Sequence, residues 1–391
     1  MMKKLVLAAL FSLLFACVDR KAEPIVAPWG EVGAADSIWD NDAFDLEQIQ
    51  AGGELIMLTL SGPETYYDHR GRQLGAQYLL AQKFADTLGV RLRVNICRDT
   101  TELLHRLLAG EADLIAVPLP VTLSDSVLFC GPGSDSLSIH WSVNAEKPRL
   151  ADALDQWYRP ELLAEVRKEE AYLLSSRSVK RHVFSPMLSR KDGIISRYDQ
   201  LFMKYCQPIR WDWRLMAAQC YQESTFDPKA TSWAGAKGLM QIMPRTADEL
   251  GLPREKMYDP ESSIAAAAKY LGLLEEKFTD ISDRHERTNF VLASYNGGYH
   301  HICDAMALCK RDGRNPHRWA DVSAYVLKLA QPEYYNDPIV KHGYMRGSET
   351  EGYVRLIRAR WQTYRGVPSP RAGFHATPQK ATRVRKKKYD Q

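Results

Sequence analysis

Apolar and polar positions divide the chain into two regions of different period. After residue 50, short apolar runs alternate with amphipathic stretches. ELIMLTL (54–60) predicts a strand, GAQYLLAQKFADTLG (75–89) an amphipathic helix stopped by Gly89, and VRLRVNI (90–96) a second strand. DTTELLHRLLAGEAD (99–113) predicts a helix with Asp99 or Thr100 as N-cap and Gly110 at its end, and LIAVPLP (114–120) a third strand. This β-α-β-α-β order predicts a small α/β domain with parallel strands. SIHWSVN (138–144) adds a strand, and residues 148–173 are mostly helical. From Tyr198 to about Tyr364 helical spacing dominates. Asp259-Pro260-Glu261 supplies an N-cap, a proline at the first helical position and an acid in the first turn, opening SSIAAAAKYLGLLEEKF. RTNFVLASYNGG ends in paired glycines suited to a helix stop. The chain thus reads as α/β followed by mainly α.

The N-terminus has another pattern. MMKKLVLAALFSLLFAC carries two lysines, a short apolar run and a small residue before Cys17, the layout of a secretory signal peptide. The run is too short and wrongly flanked for a spanning helix. Expected boundaries are a signal at 1–17, a linker at 18–50, the α/β domain at 51–180, a connector at 181–199, the helical domain at 200–365 and a basic tail at 366–391. No internal repeat stands out.

Composition narrows the class. With 391 residues, 45% apolar and 26% charged, the chain is globular and long enough for two or three domains. A net charge of +4 makes no case for nucleic acid. Six cysteines follow Cys17, two in the first half and four in the second, which allows disulfides within each half without fixing their pairing. No His/Cys cluster has metal-ligand spacing, and the adjacent His300-His301 pair does not face one site. No metal and no cofactor is implied.

The chemistry centres on Glu223 in QESTFDP (222–228), at the end of the helical run WDWRLMAAQCYQES. A carboxylate on a last helical turn faces the negative end of the helix dipole. Burial beside Met216, Cys220 and Phe226 would also hold its proton on. An ordinary glutamate titrates near about 4.3, whereas a general acid works best at roughly 6–7. Asp227, four residues on, precedes Pro228 and reads as a turn residue. No residue of these stretches offers a second carboxylate placed as a nucleophile.

Four stretches, Gln222-Glu223-Ser224, GLMQIMP (238–244), ASYNGG (293–298) and ETEGYV (349–354), together resemble the Slt-type lytic murein transglycosylases of the lysozyme-like superfamily, over about residues 200–364. Residues 53–122 resemble lobe 1 of a bacterial solute-binding protein. Only about twenty residues separate Thr122 from the returning strand, so the second lobe is missing or vestigial, and no arginine follows Thr122 to clamp an amino-acid ligand. This pairing resembles the membrane-bound lytic murein transglycosylase F type. The resemblance implies a truncated periplasmic-binding-like α/β domain, a lysozyme-like all-helical catalytic domain, and peptidoglycan glycan strands as substrate.

It further implies Glu223 as acid and then base, with a 1,6-anhydro product. Ser224, Gly238, Met240, Gln241, Tyr295, Asn296 and Tyr353 are the implied substrate contacts. Glu349 reads as a supporting residue. Leu14-Phe15-Ala16-Cys17 resembles a lipobox, implying a lipid anchor on Cys17 and a place in the cell envelope, at the outer membrane facing the periplasm. The α/β domain would then dock a muropeptide or a protein. The alternatives are a goose-type lysozyme-like hydrolase, or a non-catalytic cell-wall sensor or binding lipoprotein.

Overall fold

The structure, a computed structural model, describes residues 44–366 except 122–125, 135–136 and 176–177. Cys17, Thr122 and the basic tail lie outside the described residues.

The expected linker at 18–50 ends early. Asp45 caps α1 (Leu46–Gly52) in a capping box with Gln48. The same carboxylate accepts from Arg149 N and Leu150 N, at the start of α4 (Pro148–Trp157). Ile49 is fully buried, so α1 belongs to the α/β core.

The strands are β1 (Glu54–Leu60), β2 (Tyr67–His69), β3 (Arg72–Leu74), β4 (Arg91–Cys97), β5 (Leu114–Pro120), β6 (Val127–Ser134) and β7 (Ile139–Asn144). Five of them form a sheet in the order β4-β1-β5-β7-β6. β1 runs parallel to β4 and β5, but β7 is antiparallel to β5 and β6, so the sheet is mixed rather than parallel. Within this sheet the strand not foreseen is β6, which contains Gly131-Pro132-Gly133, residues that weaken a strand signal; the short β2 and β3 are not foreseen either. The return at β7 fits a single lobe.

Side-chain alternation along β1 divides two cores. Leu55 and Met57 pack with α2 (Ala76–Leu88), α4 and α5 (Pro160–Leu173) on one face. Leu58 packs with Leu103 and Leu107 of α3 (Thr100–Leu108) on the other. A buried ion pair joins Lys147 to Asp113 at 2.6 Å, and Asp113 also accepts from Ile56 N.

The helical part comprises α6 (Asp199–Cys206), α7 (Trp213–Ser224), α8 (Pro244–Leu250), α9 (Pro260–Glu276), α10 (Arg284–Gly297), α11 (Tyr299–Arg311), α12 (Trp319–Lys328), α13 (Pro332–Tyr335) and α14 (Gly347–Arg365). α7 lies in the middle of a single large core and packs along α14. Asp259 caps α9 as expected, accepting from Ser262 N. The disulfides that the cysteine count allows do not form: all six described cysteines are free thiols. Among the described residues no helix is long and apolar enough to cross a membrane.

Candidate active site

α7 carries the carboxyl. Asp212 fixes its start, accepting from Arg214 N at 3.0 Å and from Trp361 Nε1 of α14 at 2.8 Å. Met216, Ala217, Ala218 and Cys220 are fully buried. The helix stops because Thr225 and Phe226 take left-handed φ values of 54° and 63°, uncommon without glycine. Thr225 Oγ1 donates to His182 O at 2.8 Å and secures the turn. Asp227 is buried and accepts from His182 N at 2.7 Å and Lys229 N at 2.9 Å, which makes it the turn residue expected.

Glu223, on the last turn, lines a cleft of about 450 Å³ together with Gln241, Tyr295, Asn296 and Tyr353. Tyr353, on α14, donates its hydroxyl to Glu223 Oε1 at 2.5 Å. Burial pushes the Glu223 carboxyl up to about 7, against the opposing pull of Arg70, the Tyr353 hydrogen bond and Arg181. Burial first, and then the Glu223 charge, pushes the Tyr353 and Tyr295 phenols well above their ordinary range, so both remain donors.

The other motif residues are held by hydrogen bonds to backbone carbonyls and, at Asn296, to a threonine side chain. Tyr295 donates to Met240 O at 2.8 Å. Thr350 Oγ1 donates to Asn296 Oδ1 at 2.9 Å, leaving the Asn296 amide hydrogens for a ligand. Gln241, at a φ of 47°, gives Nε2 to Ala230 O and Gly238 O, so its amide oxygen is what it can offer.

Three expected substrate contacts lie elsewhere. Ser224 is fully buried and donates to Cys220 O at 3.2 Å. It sits about 100° round the helix from Glu223 and faces the core. Met240 is also fully buried, and Met243 lines the cleft in its place. Gly238 is needed for a close approach to protein, not to sugar: at a φ of 78°, a Cβ there would come within 2.0 Å of Met257 O.

The chain matches the Transglycosylase SLT domain family over residues 200–316. It is 30% identical to membrane-bound lytic murein transglycosylase F of Enterobacter sp., over 79% of each chain. The protein of the same name from Citrobacter koseri is 29% identical, over 91% of this chain and 86% of that one. The chain belongs to the membrane-bound lytic murein transglycosylase F family.

Among solved structures, the lytic transglycosylase Slt of Pseudomonas aeruginosa is 21% identical, covering 44% of this chain and 25% of that one at a TM-score of 0.32. Arginine-bound domain 1 of TmArgBP is 23% identical, covering 30% and 97% at a TM-score of 0.26.

In this transglycosylase the cleft also has a wall that motif reading missed. His69, Arg70 and Gly71, at the tip of the β2–β3 hairpin, line it, as does Arg181 of the connector. Arg181 Nη1 donates to Glu223 O at 3.2 Å. Glu349 supports this wall, lying 3.3 Å from His69 Nε2, 3.5 Å from Arg70 Nη2 and 3.2 Å from Arg346 Nε. Burial pushes the Glu349 carboxyl up, but His69, Arg70 and Arg346 outweigh it and hold it down at about 2. The one local signal for the hairpin is Arg70-Gly71 between short polar stretches, a weak turn signature.

Proposed function

We propose that this chain cleaves the β-1,4 bond between N-acetylmuramic acid and N-acetylglucosamine in peptidoglycan, forming 1,6-anhydro-N-acetylmuramic acid, with Glu223 as the single acid and base. The observation that carries this reading is the Tyr353–Glu223 contact at the cleft wall, on a carboxyl raised to about 7. With Oε1 held by Tyr353, the proton rides on Oε2. It passes to the leaving glycosidic oxygen as the C1–O4 bond breaks. The carboxylate so formed then takes the proton of the muramoyl C6 hydroxyl, whose oxygen closes on C1 of the same sugar. Both reacting atoms belong to one residue, so the second step gains from proximity.

A hydrolase with two carboxylates has less support. Asp68 also lines the cleft, but it accepts from Gly71 N at its own hairpin turn. Asp227 and Glu349 are committed to the turn and the wall. Asn296, Gln241 and Tyr295, which line the same cleft, are proposed to position the acetamido sugars. Cys17 is proposed as the lipid anchor, holding the enzyme at the outer membrane facing the periplasm.

Mass spectrometry of products from purified sacculi tests the reaction. Anhydro-muropeptides are expected from wild type, with Glu223→Gln slower by about 10²- to 10⁴-fold. Reducing ends would identify a hydrolase, and unchanged release by Glu223→Gln would remove Glu223 from the chemistry.

A further inference from the structure

The α/β domain places an arginine in the catalytic cleft of the helical domain. The β2–β3 hairpin turns on Arg70 and Gly71, with φ values of 52° and 72°. Asn, Asp and Gly favour such a turn, whereas arginine is a strained choice. The turn is also firmly seated. The His69 ring lies parallel to Trp233, at 8° and 6.3 Å between centroids. Arg72 Nε donates to Ala234 O at 3.3 Å, and a Cβ at Gly71 would touch Met243 Cε at 3.3 Å.

Charge gives this wall a purpose. The guanidiniums of Arg70, Arg181, Arg245 and Arg346 on the cleft lining outnumber its carboxyls, Asp68 and Glu223, even with Glu349 set between Arg70 and Arg346. Arg70 lines the cleft and keeps 40% of its side chain exposed. On a peptide-bearing strand the lactyl carboxyl is tied up as an amide and the carboxylates lie farther out, along the peptide stem, whereas a stripped strand keeps only the short lactyl carboxylate beside the sugar. A planar guanidinium fork matches a carboxylate in two hydrogen bonds. Resting on the transglycosylase reading, we propose that Arg70 is a specificity-determining residue that binds a carboxylate of the peptide stem and so selects peptide-bearing strands.

Arg70→Gln is assayed in the full chain on two substrates, peptide-bearing glycan strands and strands stripped of peptides by an amidase. A pH of about 5.5 keeps Glu223 protonated in every variant. On peptide-bearing strands kcat/KM is expected to fall about 10- to 100-fold, mainly through KM. On stripped strands the fall should be at least about fivefold smaller, what remains there measuring the part of Arg70 in the cleft wall and the hairpin turn. Arg70→Lys, which keeps the charge, is expected to recover part of the preference. Loss on neither substrate overturns the proposal. So does an equal loss on both substrates in both variants, which would mean that Arg70 only shapes the turn. If wild type makes no anhydro product from either substrate, the transglycosylase reading itself fails, an outcome separate from any effect of Arg70.

Discussion

Replacing Glu223 by glutamine should stabilise the fold at alkaline pH while it slows the reaction. The carboxyl titrates at about 7 in the folded chain, against an ordinary value of 4.5. Below about pH 4.5 both folded and unfolded chains hold the proton, so the group costs nothing there. Between 4.5 and about 7 the unfolded chain releases it and the folded chain does not, and stability falls as pH rises. Above about 7 the fold contains an ionised carboxylate that burial disfavours, and the full cost is present. Each pH unit is worth about 1.4 kcal/mol, so the interval amounts to about 3 kcal/mol. Glutamine keeps the shape without the ionisation. Urea denaturation of both proteins from pH 4 to pH 8 measures the difference. Glu223→Gln should match wild type near pH 4, gain steadily through neutrality, and level off about 3 kcal/mol more stable at pH 8. A gain of equal size at both ends, or none anywhere, would refute the view that burial holds the proton on Glu223.

Two further outcomes follow from particular contacts. In wild type, kcat should fall as pH rises through about 7, because the proton donor is lost; Tyr353→Phe removes a bond that favours the ionised carboxylate, so this limb should move to higher pH while kcat drops about 10- to 100-fold. An unmoved limb in the pH–rate profile would exclude Tyr353 as the partner of the catalytic proton. Gly238→Ala, with a left-handed φ and a Cβ inside contact distance of Met257 O, should destabilise the helical domain by about 3 kcal/mol or more, read as a lower urea midpoint.

Much of the site is legible in the residues alone. An apolar run ending in Gln222-Glu223 puts a carboxyl on the last turn of a buried helix, and Tyr295-Asn296 before paired glycines puts two polar groups at a helix end. These are local facts, fixed by helical period and by stop signals. What local pattern leaves open is the direction of neighbours within a motif. Glu223 and Ser224 are adjacent in sequence but about 100° apart on α7, so one lines the cleft and the other enters the core. Met240 and Met243 exchange roles for a related reason: packing decides which apolar side chain faces out.

The sequence by itself determined the two domain types, the place of the Glu223 carboxyl on the last turn of α7 and the polar groups near the glycine stop. Only the tertiary structure decided that the cleft has a second wall. His69 and Arg70 are some 150 residues from Glu223 along the chain, and they reach it because the hairpin docks on Trp233, Ala234 and Met243. Docking of that kind depends on complementary surfaces folded from distant segments, and no period or spacing within either segment encodes it.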